Sequence, residues 1–158
     1  MADYFTNFSL IIPLPNEAAE KYAFDLAGLA SRIRLGDEQM PDNYPSSLRA
    51  AVDDWQFDTD AACLSKGCGL WLHSSSGGVD AVCTFIQHLL GLYDPYGYIT
   101  LEWSHDCSKP RTDAYGGGAA VITADKIKTI TTGVWLHRQV KRLHAPKPST
   151  NRKDHHHG

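Results

Sequence analysis

The stretch from Gly97 to Ile127, GYITLEWSHDCSKPRTDAYGGGAAVITADKI, most constrains what this chain can become. Tyr98 to Ser104 alternates, with Ile99, Leu101 and Trp103 on one side and Thr100, Glu102 and Ser104 on the other, the period of a half-buried strand. A polar loop follows, then three consecutive glycines, then a short apolar run from Ala119 to Ile122 that reads as another strand. Glycines in that place permit a β-bulge or a close backbone approach that no other residue allows. Thr123 is positioned to cap a helix over TADKIKTITTGVWLHRQVKRL, with Asp125 in its first turn and Gly133 as a weak point.

The segments before this stretch add a repeating order. Phe5 to Ile12 reads as a strand ended by Pro13 and Pro15. Asn16 then caps a helix in which Ala19, Tyr22, Ala23, Leu26, Leu29, Ala30 and Ile33 recur at three- and four-residue spacings, and Gly36 stops it. Turn-rich DEQMPDNYPSS and a short helical candidate, SSLRAAVDD, lead to strands over Trp55 to Leu64 and Leu70 to Ser74, joined at Lys66-Gly67. A second amphipathic helix, VDAVCTFIQHLLGLY, buries Val79, Val82, Cys83, Ile86, Leu89 and Leu90 and ends before Pro95.

The resulting order, β-α-β-β-α-β followed by a short strand and a helix, predicts an α+β fold of ferredoxin-like type. Two helices cover one face of an antiparallel sheet, and the other face is left for the last helix, a partner or a second subunit. We expect one domain over 1–143 and a disordered tail over 144–158, where the polar, proline-containing APKPSTNRKDHHHG begins after His144.

Charge is unevenly distributed. From His137 to Gly158 six Lys/Arg face one acid, Asp154. Of the chain's 15 basic and 18 acidic residues, nine and seventeen therefore precede that segment, leaving a body near −8 and a tail near +5. Such a body repels nucleic-acid phosphates and suits basic protein surfaces. The basic tail has no interleaved aromatics for base stacking, so direct nucleic-acid binding is not expected. Between Asp37 and Asp60 seven acids meet only Arg49, and Asp53, Asp54, Asp58 and Asp60 are the candidate partner-binding residues. No apolar run spans a bilayer and no signal peptide is read at the start, so four cysteines fit reduced thiols in a cytoplasm.

IIPLP, CGLWLH, VCTFIQHLL and LEWSHDCSKPRTDAYGGGAAVITADKI together resemble a family of small uncharacterised proteins carried by bacteriophages, prophages and plasmids. In that family a CSKPR segment precedes a glycine-rich turn and a V-T-A-D segment. The corresponding residues are Cys107 to Arg111, Gly116 to Gly118 and Ile122 to Asp125, and the resemblance covers about residues 5–136. It implies a mobile-element context and no particular chemistry.

Three chemical readings of the motifs compete with plain structural roles. Cys63, Cys68, His73, His105 and Cys107 are zinc-ligand types, but Cys63 and Cys68 stand five apart on the two sides of a hairpin turn rather than within one tight knuckle, and no metal is expected. His105 and Cys107 point the same way in an extended segment, as a base and a thiol nucleophile would, yet catalytic pairs normally come from distant segments. Lys109 and Arg111 with Gly116, Gly117 and Gly118 form a candidate anion-binding set, although YGGGAAV lacks the Lys-Ser/Thr of a phosphate-binding loop. The opposing view pairs Lys109 and Arg111 with Asp106 and Asp113 and gives the glycines a packing role.

The expectation that follows is a non-enzymatic binding protein of a mobile genetic element, without cofactor, that occupies a host protein or protein–nucleic acid complex and inhibits a defence system such as CRISPR–Cas. A small nucleotide- or anion-binding enzyme using the 105–118 loop is the alternative, and a homodimer through a free sheet face is a third possibility. Trp55, Trp71, Trp103 and Trp135 are expected in the core or on sheet faces, with any exposed one marking an interface.

Overall fold

The computed structural model describes residues 1–64 and 67–148. Six strands and three helices follow one another as β1 (Tyr4–Leu14), α1 (Glu17–Leu35), β2 (Asp58–Leu64), β3 (Gly67–Ser74), α2 (Val79–Tyr93), β4 (Tyr98–Cys107), β5 (Gly116–Thr123), β6 (Ile127–Thr131) and α3 (Thr132–Leu143). The strands form one antiparallel sheet in the order β2-β3-β1-β4-β5-β6. The α+β class expected from the alternating patterns is the class adopted.

Register sorts every strand residue to a face. Phe8, Leu10 and Ile12 of β1 align with Ser74, Leu72 and Leu70 of β3. Leu101 and Trp103 of β4 align with Ala120 and Gly118 of β5. These residues point toward α1 and α2, and most are buried there. Both helices form where the residue pattern placed them. Asn16 Oδ1 accepts the Ala19 N–H at 2.9 Å, and Gly36 ends α1 with φ of 82°. Ala19, Ala23, Ala27 and Ala30 are buried, so α1 rests on the sheet through small side chains, while Tyr22 lies at the edge of that face rather than within it. Helix α2 buries Val82, Cys83, Ile86, Leu89 and Leu90 as expected, leaves Val79 half-buried at its start, and also buries Ala81 and Phe85, the latter against Trp55 and Phe57.

The link between α1 and β2 holds two single 3-10 turns, Ser46–Leu48 and Val52–Asp54, in place of one short helix. Leu48, Val52 and Trp55 from this link are buried against the helices, so it closes one end of the core. Strand β2 starts at Asp58 and not at Trp55, because Trp55 and Phe57 turn inward into this cluster.

The last helix differs most from expectation. Thr123 does not cap it. Thr123 Oγ1 accepts the Lys126 N–H at 3.0 Å, closing a tight turn, and Ile127–Thr131 then pairs with β5 as a sixth strand. Helix α3 begins only at Thr132, with Thr131 Oγ1 accepting the Val134 N–H at 3.3 Å. Ile127, Thr129, Ile130 and Thr131 are β-branched, and an open strand edge on β5 supplies the partner that a local cap signal cannot outweigh. Of the expected tail, 149–158 lies outside the described residues, as does Lys66 of the predicted hairpin tip.

Candidate interaction surface

The face of the sheet away from α1 and α2 carries the exposed features of the molecule. Alternation places Phe5, Ser9 and Ile11 of β1, Asp58 and Asp60 of β2, Trp71 and His73 of β3, and Glu102 and Asp106 of β4 on this side. Ala119 and Val121 of β5 and Lys128 and Ile130 of β6 continue it. Ile11 is 50% exposed, Trp71 39% and Val121 45%. Ile11 and Trp71 stand on adjacent strands and form an apolar patch, with Val121 two strands away beyond β4, and patches rimmed by polar groups mark sites of protein association.

The patch is partly ordered in advance. Trp71 Nε1 donates to Ser9 Oγ at 2.9 Å, and its ring lies 4.0 Å, centroid to centroid, from His73. His73 Nε2 is 2.8 Å from Asp60 Oδ2. The indole is thus held by its polar edge and by a stacked neighbour, which lowers the conformational entropy lost on docking. Strands β1 and β4 pair only from Tyr4 to Asn7. Beyond that, a hollow of about 560 Å³ opens between Ser9, Thr100, Glu102, Ala119 and Val121. A second hollow of about 520 Å³ lies where α3 leaves the sheet, lined by Glu102, Gly117, Ala119, Ile130, Thr132 and Trp135.

The acidic residues singled out in the sequence divide. Asp58 and Asp60 are on the open face. Asp53 is exposed on the 3-10 turn before β2. Asp54 is half-buried: its carboxylate accepts the Ala81 N–H at 3.4 Å and the Gln56 side-chain amide at 3.1 Å. It stands where the first turn of α2 has free N–H groups and Gly78 offers no side chain to cap them. Asp54 is therefore a helix-capping residue supplied from another segment.

The 105–118 residues are also dispersed. His105 Nδ1 lies 3.0 Å from Thr6 Oγ1, and Cys107 is buried beneath the loop with no hydrogen bond to His105. Lys109 and Arg111 are exposed on the loop and make no ion pair with Asp106 or Asp113 among the described residues. Asp106 Oδ1 instead accepts the Cys107 N–H at 2.7 Å. Gly116, Gly117 and Gly118 open β5, and none of the hollow they border is lined by Lys109 or Arg111. An added Cβ at Gly118 would meet the Trp103 ring and stand 2.5 Å from the Ile130 carbonyl oxygen. At Gly117 it would stand well inside contact distance of the Trp103 carbonyl oxygen, 3.1 Å from Ser104 Cα.

Among the cysteines, burial followed by the nearby Glu20 carboxylate pushes the Cys68 thiol up, and burial pushes Cys83 up to about 12. Both shifts disfavour the thiolate that metal binding and nucleophilic attack require. Among the described residues no three His, Cys, Asp or Glu side chains converge.

One polar cluster has no counterpart in the sequence motifs. Tyr22 Oη of α1 lies 2.9 Å from His88 Nε2 of α2, and Ser47 Oγ is 3.5 Å from His88 Nδ1. Only the packing of three separate segments brings them together, so no local spacing announces it. Burial lowers the His88 pKa from its usual value. The unfolded chain then binds a proton more readily than the folded one, so the stability His88 contributes is present above the unfolded value of 6.5 and is lost as pH falls below it. Thermal unfolding between pH 7 and pH 5 should show a falling Tm, and His88→Gln should flatten that fall. An equal slope in the variant would assign the acid sensitivity to other groups.

No motif points to Glu102, Ile11 or Val121, although strand alternation assigns Glu102 to the side opposite Trp103, and Asp106 enters the sequence reading only as an ion-pair partner for Lys109 and Arg111. What identifies them is the bare sheet face. Helix α3, with no buried residue, joins them at the rim.

No family model, curated protein or solved structure matches this chain. The open face and the arm beside it therefore carry the functional reading on their own physical terms. Among the described residues no helix is long and apolar enough to cross a membrane.

Proposed function

We propose that this chain is a non-enzymatic binding protein of a mobile genetic element that acts by occupying a protein of its bacterial host, within a defence complex such as CRISPR–Cas. The observation that carries the reading is the open sheet face: Ile11, Trp71 and Val121 exposed at its centre, with Asp58, Asp60, Glu102 and Asp106 around them. Apolar anchors with a charged surround are the anatomy of a protein interface. An acidic surround is complementary to the basic grooves in which host proteins hold nucleic acid, and it favours rapid encounter with them. The resemblance of the 97–127 stretch to phage and plasmid proteins supplies the mobile-element context.

We read the order β2-β3-β1-β4, with β1-α1-β2 and β3-α2-β4 as its crossover units, as a split-βαβ, ferredoxin-like frame to which β5, β6 and α3 are appended. In that frame the appended elements widen the open face.

The test is capture from a bacterial host lysate with mass spectrometry, followed by affinity measurement with the purified partner. Asp58→Lys with Asp60→Lys should weaken binding at least about tenfold by turning attraction into repulsion. Asp54 is left intact, since its reversal would uncap α2. Unchanged affinity in the doubly reversed protein would sink the reading.

A further inference from the structure

Helix α3 is an arm without a seat. It buries no residue, and among the described residues its main contacts are with β5 and β6. Its base is fixed: Thr132 Oγ1 accepts the Gly117 N–H at 3.2 Å, and Thr131 caps the first turn. Beyond the base, Leu136, Val140 and Leu143 repeat at helical spacing, with Leu143 82% exposed, while His137 and Lys141 flank this stripe on one side, Arg142 flanks it on the other, and Arg138 lies opposite it. A helix of 12 residues is about 18 Å long and marginal in water by itself, so its apolar stripe needs a surface to lie on.

We propose that the surface is the open sheet face of a second copy of this chain, and that two copies exchange their α3 arms reciprocally. This rests on the reading of that face as a protein-binding surface. Charge favours it: the arm carries Lys141 and Arg142 on the two flanks of its stripe, and the face carries Asp58, Asp60, Glu102 and Asp106 against one Lys or Arg among the described strand residues, Lys128. Apolar groups match as well, with the Leu136-Val140-Leu143 stripe facing Ile11, Trp71 and Val121. Continuity is the third argument, because Trp135 already borders the face beside Glu102, Ala119 and Ile130. An arm that starts at the rim of its own face and cannot bury its stripe there reaches an equivalent face across a two-fold axis. Two-fold symmetry makes each copy both donor and acceptor, so every contact is made twice. The arm then covers the face in the unbound protein, and a host partner must displace it.

Light scattering coupled to size exclusion tests the arrangement on the full chain at high micromolar concentration. The expected mass is twice that of the 17.5 kDa chain. Lys141→Glu with Arg142→Glu reverses the arm, and Asp58→Lys with Asp60→Lys reverses the face. Each variant alone should dimerise at least tenfold more weakly, and an equimolar mixture should restore the dimer, since both reciprocal contacts are again between opposite charges. All four positions are exposed, and circular dichroism confirms that each variant is folded. A wild-type monomer overturns the proposal. So does a dimer that survives both reversals, or one lost on arm reversal alone, which would mean that α3 pairs with α3. Sedimentation of a monomer with phosphatidylserine vesicles, abolished by Leu136→Asp with Val140→Asp, overturns it in favour of a lipid surface. A monomer whose partner affinity still collapses on face reversal defeats the arm exchange and leaves the proposed function standing. A dimer behaving as expected, with partner affinity indifferent to face reversal, does the opposite.

Discussion

Gly117→Ala will destabilise the fold by about 3 kcal/mol or more, a Tm loss of roughly 6–12 °C for a chain of this size. Gly117 has φ of 156°, and a Cβ there would stand well inside contact distance of the Trp103 carbonyl oxygen and press on Ser104 Cα at 3.1 Å. Both obstacles are backbone atoms of β4, which is paired with β5 on one side and β1 on the other, so neither can move without breaking a ladder. The contrasting substitution is Gly133→Ala. Nothing lies within 4 Å of a Cβ at Gly133, and it sits within α3, where alanine is the better helix former by about 1 kcal/mol. Urea denaturation of the two variants should move the midpoint in opposite directions. A neutral Gly117→Ala would mean that the β4-β5 ladder is looser than its register implies.

Trp55→Ala should cost about 3–5 kcal/mol. Trp55 is 2% exposed, and its ring centroid lies 4.7 Å from Phe57 and 5.1 Å from Phe85. Its removal leaves a cavity where the 55–57 segment meets α2. The loss should appear in the denaturation midpoint with an unchanged slope, and Trp55→Phe should recover part of it. A cost below about 1 kcal/mol would show that the link is dispensable to the core. The same segment bears Asp54, which caps α2 from a distance, so the link between α1 and β2 organises one end of the core.

The candidate site was legible in the sequence only where a local period reports it. The alternation of β4 already sets Trp103 against Glu102, and that of β1 sets Phe8 against Ser9. Motif-reading, in contrast, concentrated on the residues from His105 to Gly118. His105 bonds to Thr6, Cys107 is enclosed, and Lys109 and Arg111 point to solvent. Side chains close in sequence are held apart by an extended backbone, whereas Asp58, Ile11 and Glu102, far apart in sequence, are placed on one surface by strand order.

By itself the sequence determined α1, α2, the α+β class and the inward and outward sides of β1 and β4. Each follows from side-chain period, caps and proline or glycine stops, which act within a few residues. Only the tertiary structure decided that 127–131 is a strand, that Asp54 faces α2, that Gly117 and Gly118 make room for Trp103, and that α3 buries nothing. The physical reason is common to all four. Each depends on what occupies the space beside a residue after long-range pairing, and a chain's local preferences hold no record of that neighbour.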